Sequence, residues 1–372
     1  MRNKKFLNLF AFYSLYIWFT SFSGSVLPTH FLAEGLNLSQ MIFGKFLFYI
    51  GNITLLLLLT TFRSKRAWRL ALILNFGYIL LSIKILSSSQ FYAASILSGF
   101  ALFFFYVFYN IAHFENTPQK KRGYSSALMF SIGPLIGIVA PLASGYLATT
   151  NINLLWIFSG VFFLAALHFI NRQEDFSVTY TIKSALREIK ATRWFIFIQG
   201  IWEAMIFGII PIFSLFFIKK PLEYGGFLAY LAVVSILANL ILGKFTDKIQ
   251  KRAAFLYPLT ISMSVVTLLF VFAVQNLFLW VIFTGILQFL MPLFWNVSTA
   301  MIVDSHSNLK LAIPGREFTL ASGRIIGLLL AFLSFTIEKI PHNVFFILGT
   351  VILLYPALLF WNTRVSKKYS YL

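Results

Sequence analysis

Three charged side chains lie deep inside long apolar stretches of this 372-residue chain: Glu203, Arg324 and Lys45. On insertion scales each costs roughly 2.5–3.5 kcal/mol at the centre of a lipid-embedded helix, so each is a functional candidate. Glu203 and Arg324 stand about nine residues from the same end of their stretches. At about 1.5 Å per residue that is about 13 Å deep, near the midplane of a hydrocarbon core about 30 Å thick. A carboxylate and a guanidinium at one depth can pair or alternate with a pair. A carboxylate released from its partner can take up a proton, which would couple proton flow to movement of a solute. Gln199, four residues before Glu203, shares its helical face. Gln288, Asn296 and Asn110 are further polar candidates, each equally able to make an interhelical hydrogen bond. Lys45 either snorkels to the nearer surface or attracts an anionic substrate, with His30 and Glu34 as candidate partners. Tyr13, Tyr16, Trp18 and Trp202 are candidates to line an apolar cavity.

Other chemistry is missing. There is no phosphate-cradling Gly-x-x-x-x-Gly-Lys-Ser/Thr loop, which argues against ATP hydrolysis by this chain. Cysteine is absent, and no His-Glu-x-x-His or histidine cluster suggests a metal. No cofactor, metal or enzyme activity is expected.

The elements that must position these residues are membrane spans. Hydrophobic residues make up 59% of the chain, charged residues 11%, and mean hydropathy is +0.83, far from a soluble composition. Apolar runs of span length cover about 7–29, 39–61, 67–87, 91–113, 123–147, 152–170, 194–218, 225–245, 253–274, 277–303, 315–337 and 342–362. Of the 30 Lys and Arg residues, 24 fall at the termini and alternate loops on one side. The other side holds Lys84, Lys219, Lys220 and Lys339, and Lys45 and Arg324 lie within spans. By the positive-inside rule the basic side is cytoplasmic, with both termini there. The net charge of +19 therefore reflects topology, and no nucleic acid is expected. The stretch 171–193 is the one long connection; its part 180–192 reads as an amphipathic surface helix or a solvated linker.

The chain repeats itself. Phe108-Tyr109-Asn110-Ile111 and Phe294-Trp295-Asn296-Val297 are 186 residues apart, as are Lys65-Arg66 and Lys251-Arg252. Gly133-Pro-Leu-Ile-Gly137 parallels Gly323-Arg-Ile-Ile-Gly327. Duplicated halves mark secondary transporters, with the substrate site between them.

Two motifs carry a family resemblance. Gly243-Lys-Phe-Thr-Asp247-Lys248-Ile-Gln-Lys251-Arg252 resembles the loop signature of the major facilitator superfamily. The resemblance implies a gating latch built on Gly243, Asp247, Lys248, Lys251 and Arg252. The loop after the second span lacks the acid: Thr61 stands at its place and Leu57 replaces the glycine. Gly137-Ile-Val-Ala140-Pro141-Leu-Ala-Ser144-Gly145 is similar to the glycine-proline motif of the superfamily's antiporters; with Gly133 it reads equally as ordinary tight helix packing.

The expectation is an all-α membrane protein of about twelve spans in two pseudo-symmetric six-helix bundles, 1–170 and 194–372, joined by the cytoplasmic connection 171–193. The expected function is alternating-access transport of a small molecule across the cytoplasmic (inner) membrane, in the form of proton-coupled efflux of an amphipathic compound by a monomer. Its expected partners are that substrate, protons and the lipid bilayer. A transport-inactive sensor or scaffold and a lipid-modifying protein are the alternatives.

Overall fold

A computed structural model describes residues 4–116, 122–245, 252–306, 308–338 and 341–365. The chain is almost entirely helical. Its helices are α1 (Lys4–Gly24), α2 (Leu27–Ala33), α3 (Leu38–Leu58), α4 (Ser64–Ser82), α5 (Ser88–Glu115), α6 (Arg122–Thr150), α7 (Ile152–Ile170) and α8 (Ile182–Glu188). They continue with α9 (Arg193–Ala204), α10 (Ile210–Phe217), α11 (Pro221–Phe245), α12 (Arg252–Ala273), α13 (Leu277–Asp304), α14 (Leu309–Ile337), α15 (His342–Ile352) and α16 (Leu354–Phe360). Among the described residues, 11 helical stretches are long and apolar enough to cross a membrane. The protein is a multi-pass membrane protein.

Side-chain chemistry sets several helix starts. Asn37 and Gln40 form a reciprocal capping box on α3, Asn37 Oδ1 accepting from Gln40 N at 2.8 Å and Gln40 Oε1 from Asn37 N at 2.9 Å. Ser87 caps α5, Asn151 caps α7 and Asn308 caps α14. The Asn308 cap moves the start of α14 six residues ahead of the expected boundary at 315. Lys310 and Arg316, expected in a loop, thus belong to this helix, because one capped start outweighs two charges near an interface.

The third expected span, 67–87, is α4, which is not among the 11. It takes up Lys65, Arg66 and Arg69, expected in the preceding loop, and these interrupt its apolar length. Basic groups at a helix N-terminus oppose the helix dipole. The connection after α7 compensates. Thr61–Arg63 (β1) pairs antiparallel with Ser177–Thr179 (β2), with Phe62 opposite Val178. This pairing brings Asp175 to the start of α4, where its Oδ1 accepts from Lys65 N at 3.2 Å and its Oδ2 lies 2.8 Å from Arg63 Nη2. An acid is thereby present beside the loop in which Thr61 replaces the expected aspartate. Asp175→Ala should destabilise the protein by about 1 kcal/mol, the usual value of a helix cap; an unchanged Tm in detergent would refute this.

The amphipathic stretch of the connection is shorter than expected. Only Ile182–Glu188 is helical, and it docks on α14 with Ala185 and Ile189 buried. A Cβ on Gly315 would lie 2.5 Å from the Ala185 carbonyl oxygen, so the glycine is what admits this helix. At the same end Thr192 Oγ1 and His306 Nε2 are 2.9 Å apart. Burial pushes the His306 imidazole below its ordinary range, against the opposing charge of Glu188.

The apolar side chains form two clusters. One is drawn from residues 9–185 with Leu309 and Ile313; the other from 189–359, joined by residues such as Leu27, Phe31 and Phe91. Two helix pairs carry most of the contact between the chain before and after the central connection, α6 with α11 and α3 with α14. In the first, a Cβ on Gly145 would lie 2.8 Å from the Pro221 carbonyl oxygen and one on Gly137 3.3 Å from Ala232 Cβ, while Gly225 presses on the Pro141 carbonyl. In the second, Ser39 Oγ donates to the Phe335 carbonyl at 3.1 Å and Phe43 packs on Phe332 at 5.1 Å.

Candidate functional site

The site rests on a glycine seam between α9 and α14. A Cβ on Gly200 would lie 2.5 Å from the Leu320 carbonyl oxygen, and one on Gly323 2.5 Å from that of Phe197. Gly327 presses on the Ile201 carbonyl and the Ala204 side chain. The two backbones therefore touch, as small residues allow in membranes. Just beyond, Met205–Ile209 form a π-helical segment. Pro211 has no N–H to offer the carbonyl four residues back, which favours such local widening. Glu203 is thus held on a rigid seam with a deformable turn beside it.

All of Glu203's acceptor capacity is used. The carboxylate is 1% exposed. Oε1 accepts from Gln199 Nε2 at 2.7 Å and from Trp295 Nε1 at 2.6 Å. Oε2 accepts from Arg324 Nε at 2.9 Å and also from its Nη2. A bidentate guanidinium contact of this kind fixes geometry as well as charge. Arg324 lies over two rings, Tyr49 at 5.3 Å and Phe207 at 4.8 Å, and Phe207 stacks on Trp295 at 5.5 Å. Glu203, Gln199, Trp295, Phe207 and Arg324 all follow the central connection, whereas Tyr49 precedes it.

The profile of the Major Facilitator Superfamily matches residues 9–257, about two thirds of the chain. The chain belongs to this superfamily. Solved transporter structures share its fold. The human organic anion transporter MFSD10 (TETRAN) is 12% identical, with 95% of this chain and 98% of that one covered and a TM-score of 0.67. The nucleoside transporter NupG is 12% identical, with 97% and 100% covered and a TM-score of 0.63. A bacterial homologue of the iron transporter ferroportin is 13% identical, with 96% and 99% covered and a TM-score of 0.69. No curated protein matches the chain in sequence.

In this superfamily member the other expected residues fall as follows. Asn110 on α5 donates to Glu317 Oε1 on α14 at 3.3 Å, across the central connection in sequence. Glu317 also pairs with Arg316 at 2.6 Å, and both side chains are 14% exposed. Asn296 does not reach Glu203. It donates to Asn239 Oδ1 on α11 at 3.4 Å and to the Pro292 carbonyl at 2.8 Å, and its own Oδ1 is buried without a partner. Its neighbour Trp295 makes the contact. Gln288, half-buried on α13, makes no hydrogen bond to the pair among the described residues. Trp202 faces away, donating to Thr267 on α12 at 2.9 Å. Trp18 packs on Phe162, while Tyr16 accepts from Asn75 at 3.0 Å and Tyr13 stacks on Tyr109 at 4.3 Å.

His30 and Glu34 do not partner Lys45. His30 Nε2 lies 2.9 Å from the Ser82 carbonyl, and Glu34 Oε2 accepts from Ile85 N at 3.2 Å. Both are taken by the α4–α5 turn, whose backbone groups need partners. A Cβ on Gly133 would meet nothing within 4 Å among the described residues, so packing there does not require a glycine. Of the loop motif, Asp247, Lys248 and Lys251 lie outside the described residues; Gly243 and Arg252 belong to α11 and α12.

Sequence reasoning missed Glu317, Trp295, Tyr49 and Phe207. Glu317 had a signal. It stands seven residues before Arg324, two helical turns on the same face. Trp295 had a fainter one, as the repeat partner of Tyr109.

Proposed function

We propose that this chain is a secondary active transporter of twelve spans in two six-helix halves, working by alternating access. The starts of three helices support the division: α3, α5 and α7 recur as α11, α13 and α15 at offsets of 183, 189 and 190 residues. The basic face is the cytoplasmic one in this reading, and α4 is the twelfth span.

The observation that carries the mechanism is the Glu203–Arg324 pair with Tyr49 laid on it from the other half. Rocking of the halves moves Tyr49 off Arg324 and alters the pair's surroundings in one conformation only. A pair so coupled can open to admit a proton, with Gln199 and Trp295 holding the carboxylate in place. Proton-coupled efflux of an amphipathic organic compound is the form we infer. The close packing of the Gly137–Gly145 segment of α6 on α11 supports it by placing a stiff, small-residue contact where the halves must pivot. A transport-inactive scaffold drew its support from the missing acid after the second span, and Asp175 stands beside that place. The test is uptake into liposomes under an imposed proton gradient. Glu203→Gln should lose gradient-driven accumulation and keep gradient-independent counterflow. Undiminished accumulation would overturn the coupling role.

A further inference from the structure

A cavity of about 200 Å³ opens among the first four spans and Ile212 of α10. Its walls include Phe19, Phe31, Phe48 and Phe91, together with Asn75, Ser95 and Ser98. Lys45 also lines it. No carboxylate does, and among the described residues none lies within ion-pairing distance of Lys45. Its ammonium lies 5.3 Å from the Phe48 ring centroid. That contact is weaker than an ion pair and leaves its N–H donors unused.

The cavity's hydroxyls do not compensate for this charge. Ser23 donates to the Phe19 carbonyl at 2.9 Å, Ser95 to that of Phe91 at 2.9 Å, and Ser98 to Asn75 Oδ1 at 3.3 Å. Among the described residues the lining thus combines aromatic faces with a cation that has no counter-ion at span depth. Such a charge is costly unless something neutralises it. Lys45 also stands one turn before Tyr49 on α3, on the same face. A ligand held by Lys45 therefore bears on the helix that contacts Arg324.

We propose that this cavity is a binding site for a small organic anion, with the anionic group on Lys45 and its apolar body against the phenylalanine rings. The proposal takes the transporter reading further by naming its substrate class.

The experiment uses the purified full-length chain in detergent and thermal unfolding with three isosteric probes: benzoate, benzamide and benzamidinium. Hexanoate and benzenesulfonate widen the anion set. Anions should raise Tm in a concentration-dependent way, and the neutral and cationic probes should not. Lys45→Met should weaken anion binding by about tenfold or more, the value of a charge-assisted hydrogen bond, while Lys45→Arg retains it. Ligand-free Lys45→Met should be at least as stable as wild type, since it removes an unpaired charge. The proposal is overturned if none of the anions stabilises the wild type, if benzamide does so equally, or if Lys45→Met binds undiminished. Binding is read without transport, so the two readings fail separately. Anion binding without counterflow of the bound anion in liposomes would count against transport and leave the site standing.

Discussion

Arg324→Leu is expected to be among the most damaging single substitutions in this protein, and Glu203→Leu made in the same background should restore much of the loss. The single change strands a carboxylate that is 1% exposed, inside a bundle surrounded by lipid. Gln199 and Trp295 would still donate to Oε1, but Oε2 would lose both its donors. Breaking a buried pair by removing one member costs about 3–5 kcal/mol, whereas replacing both by apolar groups is often close to neutral. The double variant must still absorb two lost hydrogen bonds from Gln199 and Trp295, at about 1 kcal/mol each. A thermodynamic cycle over wild type, both singles and the double should thus give a coupling of about 2 kcal/mol or more. The readouts are Tm in detergent and counterflow in liposomes. If the double variant were folded and stable yet inert, the pair would be needed for function beyond its structural part. If Arg324→Leu were as stable as wild type, the pair would not be the keystone described here.

How much of this site could be read from the sequence depends on the kind of interaction. The spans, and Glu203 and Arg324 as residues of interest, were legible because charge is rare in apolar runs and depth follows from residue count. What each residue touches was not. Asn296 and Trp295 are neighbours on one helix, and only the rotation of α13 decides which faces Glu203. Polarity alone favours the amide, yet an indole N–H is as good a donor to a carboxylate. Glu317 stands inside the expected span from 315, and its contacts with Arg316 and Asn110 depend on the rotation of α14, which residue types do not fix. The β1–β2 pairing had no signal at all, since strands of three residues have no usable periodicity. Asp175 consequently looked like an ordinary charge in the connection.

Gly323→Ala and Gly133→Ala are the same substitution at matching positions of the repeat, and they should have opposite effects. At Gly323 the new methyl would meet backbone on the facing helix, 2.5 Å from the Phe197 carbonyl oxygen and 2.7 Å from Ile201 N. Backbone cannot rotate out of the way, so α9 and α14 must separate. Overpacking of this kind costs typically about 1–3 kcal/mol, and here any separation also pulls Arg324, the next residue, away from Glu203. At Gly133 the methyl meets nothing within 4 Å among the described residues. There the change only removes the flexibility of a helical glycine, which is worth about 0.5–1 kcal/mol in favour of alanine. Tm measurements on the two variants decide the matter: a fall at 323 with no fall at 133 is expected, and a fall at 133 as large as that at 323 would contradict it. Both segments keep a pair of glycines, but facing backbone presses on both members only in the second, at Gly323 and Gly327, whereas Gly137 meets the Ala232 side chain at 3.3 Å and Gly133 meets nothing among the described residues; the second pair is the one beside Arg324. Packing constraint and functional charge coincide on one seam, which is why a substitution carrying no charge at all is expected to impair the ion pair.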